Sequence, residues 1–350
     1  MSTTSGTVVQ TLINAADIID SAVSRCKISP SDLSAEDVEK ARKVLHLLLL
    51  SFANRSINLW CVEQAFVPNV VGQAAYALGP GIVDISSAVF RRVTRYVATW
   101  STSAGGNVSF LTDGNLETTC IQTIPNGVFS ADLMQPVGIR MLGICAGSVL
   151  TQTLAVETSF DGAIWNRTLV LPTTSLVNGE WRWYEIDPAI PARHFRVVET
   201  AGATLSYREL VIAQSVLDIP MARFNSDDYE SLPNKLITGR PLQYWFDRQR
   251  NPKMYLWPVP DSPFNCIMVR QQRHVQDVGD ITNVIDIPNR WLEPTIARLA
   301  KKLILELPQA DMTRYDILRQ EDEDAFFAAS FEERDASPVY IAPDISGYTR

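Results

Sequence analysis

Hydrophobic residues recur along the chain with two different periods, and the change of period divides it. From Val8 to Cys26 they fall at Val9, Leu12, Ile13, Ala16, Ile19 and Val23, the stripe of an amphipathic helix. Pro30 interrupts it. Ser34-Ala35-Glu36-Asp37 then predicts a capped helix start, because the Ser34 hydroxyl can accept an orphan N–H and the two carboxylates suit the positive dipole end. Val38, Ala41, Leu45, Leu48, Leu49 and Phe52 continue that helix on one face, so an antiparallel helical hairpin is expected. Strands are expected over Trp60–Val67, Gln73–Leu78 and Val83–Val97.

At about Trp100 the character changes. Ser101–Asn107 is rich in Gly and Ser, and from there to Ser215 nothing reads as a long helix. Short alternating segments carry Leu154, Val156, Thr158 and Phe160, then Trp181 and Trp183, then Phe195 and Val197, then Leu210 and Ile212. Turns such as Asp161-Gly162, Asn178-Gly179 and Ala201-Gly202 separate them. Many short strands at this spacing predict an antiparallel sandwich or jelly roll. Further on, Leu242, Tyr244 and Phe246 alternate with polar or amphipathic neighbours, and Met254–Trp257 forms a second strand across a polar turn. Pro241, Pro258 and Pro260 delimit this hairpin. Phe264–His274 predicts one more strand. A helix near Pro294 carries Ile296, Leu299, Ala300, Leu303 and Leu307. A last helix, from Asp311 to about Arg334, carries Tyr315, Leu318, Ala325, Phe326 and Ala329.

The expected fold class is therefore α+β: an antiparallel helical bundle with a small β-region, plus an inserted all-β jelly-roll sandwich. The divisions fall at 1–98, 99–215, 216–335 and an extended tail, 336–350.

Composition narrows the function. The 350 residues carry a net charge of −8, which disfavours a protein that grips nucleic acid through phosphates. The longest apolar run, Leu45–Leu50, falls far short of the roughly 20 residues of a membrane span. Five cysteines without a CxxC pair read as reduced, buried thiols of a protein made in the cytoplasm. His46, His194 and His274 sit on separate elements, and no GxSxG elbow, phosphate loop or dinucleotide fingerprint is present. An enzyme is not expected.

Two stretches carry resemblances. Lys235, Gly239-Arg240-Pro241, Tyr244, Asp247 and Tyr255-Leu256-Trp257-Pro258-Val259-Pro260, preceded by Gly72-Gln73, Tyr76 and Leu78-Gly79, resemble the head-to-tail adaptors of short-tailed phages. That resemblance covers residues 6–98 and 216–335. It implies a structural virion protein: a homo-oligomeric ring, twelve copies by the portal's symmetry, in the neck between capsid vertex and tail. Its implied partners are the portal protein, the tail tube or nozzle, and fibre or spike proteins, with double-stranded DNA passing through and no membrane.

Leu111-Thr112-Asp113-Gly114-Asn115 with Thr118, Thr158–Gly162 followed by Trp165, and Tyr207-Arg208-Glu209-Leu210 resemble the discoidin or galactose-binding-like sandwich. This second resemblance implies a structural calcium ion near Asp113, Asn115, Thr118 and Glu209, since a hard cation wants converging oxygens. The alternative is a turn that caps its own backbone. Trp165, Trp181 and Trp183 are candidates for a glycan or protein surface, against a split between core and surface. The rival function is a carbohydrate-recognition protein that uses the sandwich.

Arg91, Arg92, Arg95, Arg270 and Arg273 read as inter-subunit ion-pair partners, with DNA phosphates as the alternative. Glu321, Asp322, Glu323, Asp324, Glu332 and Glu333 read as an exposed acidic helix side. Residues 336–350 read as either a disordered tail or an arm in which Val339, Tyr340 and Ile341 dock on a neighbour, the interleaved prolines favouring the arm.

Overall fold

The computed structural model describes residues 13–53, 61–103, 105–276 and 278–332. It is a mixed α+β structure whose contacts divide into two units. One combines residues up to 62 with those from 273 onward, and the other holds residues 63–272.

In the first unit α1 (Ala15–Arg25) opens on Asn14, whose side chain accepts from the Asp17 N–H while the Asp17 carboxylate accepts from Asn14. This reciprocal pair satisfies two orphan donors. The helix starts later than the periodicity suggests; Val9 and Leu12 lie outside the described residues. The Ser34 hydroxyl accepts the Asp37 N–H at 3.1 Å and caps α2 (Ala35–Ala53), as expected. Ile18, Ile19, Leu45, Leu48 and Phe52 from this hairpin share one apolar cluster with Trp291, Leu299, Leu303 and Leu318 from the far end of the chain. Each such side chain withdrawn from water contributes about 1.5–3 kcal/mol.

Among the described residues the second unit holds a short helix, α3 (Ser226–Glu230), and nineteen strands. Three precede the sandwich: β1 (Val62–Pro68), β2 (Ala75–Ala77) and β3 (Ile82–Val93). The sandwich is built from β4 (Thr99–Thr102), β5 (Cys120–Ile121), β6 (Val128–Gly138), β7 (Met141–Ala146), β8 (Leu150–Gln152), β9 (Leu154–Ser159) and β10 (Asn166–Val170). It is completed by β11 (Thr174–Leu176), β12 (Trp181–Glu185), β13 (Pro191–Glu199) and β14 (Ser206–Ala213). Five strands follow: β15 (Val216–Pro220), β16 (Ala222–Arg223), β17 (Gln243–Asp247), β18 (Lys253–Trp257) and β19 (Cys266–Arg273). Two helices of the first unit close the described chain, α4 (Leu292–Glu306) and α5 (Tyr315–Glu332).

One sandwich sheet runs β10-β9-β13-β6-β4 and the other β12-β7-β14-β5, and the observed strand pairs within both are antiparallel. Phe129, Val156 and Phe195 from the first meet Leu142, Ile144, Tyr207 and Ile212 from the second in a common core. This is the inward-facing alternation of a two-layer sandwich. The flanking strands make two further sheets, β1-β19-β3-β15 and β16-β17-β18-β2. In the β17–β18 hairpin Tyr244 faces Leu256 and Phe246 faces Met254, and all four are buried. Leu242, expected to share that stripe, is exposed and precedes the strand, although its N–H already donates to the Trp257 carbonyl at 3.1 Å.

The compact units therefore part at 62 and 273, whereas the sequence pattern sets 99–215 apart from the strands on either side. The reason is a second apolar seam. Met141, Cys145, Trp181, Trp183 and Val211, on the side of β12-β7-β14 away from the sandwich core, pack with Cys266, Phe66, Val93 and Phe264 of the flanking strands.

Candidate functional site

The loop of residues 111–118 and the strand residue Glu209 do converge. Glu209 is fully buried, and its carboxylate accepts the Gly114 N–H on one oxygen and Arg95 Nη2 at 2.5 Å on the other. Arg95 Nη1 donates to the Thr112 carbonyl at 2.9 Å. Burial pushes the Glu209 carboxyl up, while Arg95 and the Gly114 N–H pull it down. Asp113 accepts from the Asn115 N–H and the Thr118 hydroxyl, both at 2.8 Å, and Asn115 Oδ1 accepts the Glu117 N–H at 3.0 Å. A calcium ion needs six to eight oxygens turned toward it. Here the Asp113 and Glu209 carboxylates and the Asn115 side-chain oxygen already face donors, and a guanidinium holds the carboxylate that would anchor the ion. As arranged, these residues do not fit calcium. Among the described residues no group of three or more His, Cys, Asp or Glu is placed to hold a metal.

The three tryptophans separate. Trp181 and Trp183 are buried and stacked on each other, ring centroids 5.3 Å apart and 7° from parallel, with Phe264 edge-on to Trp181 at 5.7 Å. They build the seam and offer no face to a ligand. The strand period correctly puts them on one side, but that side is covered. Trp165 is half-buried, and Arg196 lies over its ring at 4.0 Å. Arg196 and Arg167 share the Glu157 carboxylate, at 2.6 and 3.1 Å, so this cluster keeps one net positive charge.

The arginine cluster also resolves into internal pairs. Arg91 is buried and pairs with Asp218 at 2.7 Å and Glu185 at 3.4 Å. Arg273 pairs with Asp286, and Arg95 with Glu209. Each of these three has an ion-pair partner within the chain, while Arg92 and Arg270 are exposed. On α5, Asp322 departs from the acidic face: it is buried and bonded to Arg298 at 2.7 Å and Lys301 at 2.9 Å. Val339, Tyr340 and Ile341 lie outside the described residues.

Sequence reading gave no sign of a hollow of about 460 Å³ walled by Ile121, Gly147–Thr151 and Gly202–Thr204 with Ser206. Its shape depends on Gly147, whose N–H donates to the Ser206 carbonyl at 2.8 Å. A Cβ there would meet the Thr119 methyl at 2.3 Å and Ser206 Oγ at 2.8 Å, so only glycine lets the two loops approach. No charged residue lines the hollow. Ser206 Oγ is buried on its wall without a hydrogen-bond partner in the chain. Ile121 and Val149 stand exposed at the rim.

No protein-family model and no curated protein matches the chain. Solved structures similar to part of it include the family 32 carbohydrate-binding module of AlyQ in complex with 4,5-unsaturated mannuronic acid. It is 18% identical with a TM-score of 0.31, over 35% of this chain and 99% of that one. The family 32 module of Clostridium perfringens NanJ in complex with galactose is 13% identical with a TM-score of 0.29, over 36% and 98% of the two chains. An F5/8 type C domain from Bacteroides fragilis is 17% identical with a TM-score of 0.29, over 35% and 99%. The sandwich assignment itself rests on the strand order and core given above.

Proposed function

We propose that this chain is a recognition and assembly protein, not a catalyst, and that its sandwich binds a neutral carbohydrate in the hollow between Gly147–Thr151 and Gly202–Ser206. The observation that carries this reading is the uncharged hollow itself, which sets the hydroxyls of Ser148, Thr151 and Thr204 beside exposed Ile121 and Val149. The hydroxyls suit the polar edge of a sugar, and the two apolar side chains suit the C–H face of a pyranose. The absence of charge among the lining residues favours a neutral sugar over a uronate or phosphate. Titration of the full chain against neutral oligosaccharides, followed by Thr204→Val, tests it. Binding that the substitution abolishes is expected; failure to bind any glycan on an array rejects it.

A second reading is favoured by a different observation. The helices from the two ends of the chain, α1 and α2 with α4 and α5, bury one common cluster although some two hundred residues of β-structure lie between them. A helical body interrupted by an insertion is what the phage neck adaptor resemblance implies. Leu47, Leu305, Ile317 and Phe327 on these helices are more than half exposed, a surface that neighbouring subunits of a ring would cover. In this reading the chain joins portal to tail tube, lets DNA pass without reading it, and carries the sandwich as a peripheral dock for fibres or spikes. Mixing the protein with purified portal rings and imaging the product tests it; a chain that remains monomeric and unbound rejects it.

A further inference from the structure

A fully buried carboxylate is costly unless it is protonated, hydrogen-bonded or paired with a positive charge, and a metal ion and a guanidinium are two ways to supply that charge. At Glu209 the supply is visible. Arg95, from the link between β3 and β4, donates one nitrogen to Glu209 and another to the Thr112 carbonyl, spanning the strand and the loop as a bound cation would. Its guanidinium also lies 5.4 Å from the centre of the Phe264 ring. The remaining Glu209 oxygen takes the Gly114 N–H, which ties the loop to β14 from a second point.

We propose that Arg95 is a built-in counter-ion that takes the place of a divalent metal in this sandwich. The loop of residues 111–118 closes on Glu209 without calcium. Removing the guanidinium leaves the Glu209 carboxylate buried without its counter-charge and the Thr112 carbonyl without its donor. The charge is thereby made permanent, independent of the cation content of the surroundings.

The test is thermal unfolding of the full chain in EDTA and in millimolar calcium. Wild-type protein is expected to melt at the same temperature in both. Arg95→Met is expected to melt about 10 °C lower than the wild type in both. A wild-type midpoint that falls in EDTA and recovers with calcium overturns the proposal, as does an Arg95→Met protein that melts with the wild type. Should Arg95→Met fail to fold, Arg95→Gln combined with Glu209→Gln decides. The proposal requires the double variant to fold and to be more stable than Arg95→Gln alone, since the uncompensated charge is gone. A double variant no better than the single one overturns it.

Discussion

Trp183 lies flat against Gly143, its cross-strand partner in the β12–β7 pair, so closely that a Cβ on Gly143 would sit 2.3 Å from ring atom Cζ3. A glycine within a strand usually weakens it. Here the missing side chain makes room for an indole that, with Trp181, fills the seam between the sandwich and the strands around it.

Gly143→Ala is therefore expected to overpack that seam and to cost about 1–3 kcal/mol. Guanidinium unfolding followed by tryptophan emission measures it. An unchanged midpoint with unchanged emission would show that the indole has room to move.

Asp322→Ala is expected to destabilise the helical unit by about 3–5 kcal/mol, because it leaves Arg298 without its buried partner. Arg319→Ala, which removes the exposed Arg319–Glu323 pair on the same helix, is expected to change stability by less than about 1 kcal/mol. Chemical denaturation of the two variants side by side checks the contrast.

The Asp161 carboxyl is held at about 2 instead of 3.8 by the Ile164 and Ala163 N–H groups and the Ser159 hydroxyl. Because the folded state lowers this pKa, its contribution is complete above about pH 4 and is lost as pH falls toward 2. Asp132, held at about 2 chiefly by Arg193, acts in the same window, and His194 pairs with both Asp132 and Ser159. Protection of the Ala163 and Ile164 amides from exchange, relative to the unfolded-chain rate at the same pH, is expected to hold at pH 4 and to fall toward pH 2. In Asp161→Asn that pH step should disappear.

All five cysteines are buried thiols outside any disulfide, and burial pushes the Cys145 thiol to about 12 and Cys26 to about 11. Thiolate is the reactive form. Native protein is expected to leave a thiol reagent such as DTNB unreacted, whereas guanidinium releases five equivalents. Rapid reaction of one thiol in the native state would contradict the burial.

Local chemistry was legible where one element decides its own form. The Ser34 cap, the helical stripes and the Tyr244/Phe246 phase of the hairpin all follow from spacing within a few residues. Asp322 was legible in principle: it lies four residues after Leu318 and seven before Ala329, on the stripe that turns inward. Its partners, Arg298 and Lys301, sit on another helix, and no period reaches them. The same limit applies to Trp181 and Trp183. Alternation puts them on one side of β12, but the residues that cover that side, Phe66 and Phe264, lie some hundred positions away in either direction. Arg95 looked like any strand arginine until the fold brought Glu209 to it.

The cluster shared by α1, α2, α4 and α5 also fixes an order of events during synthesis. The first two helices leave the ribosome about 240 residues before α4, a delay on the order of tens of seconds at roughly 5–20 residues per second. The intervening β unit holds all its own strands and can finish first. Throughout that interval the N-terminal hairpin has Leu45, Leu48 and Phe52 bare, so a nascent chain stalled before α4 would expose a sticky, half-built body that only a chaperone could shield.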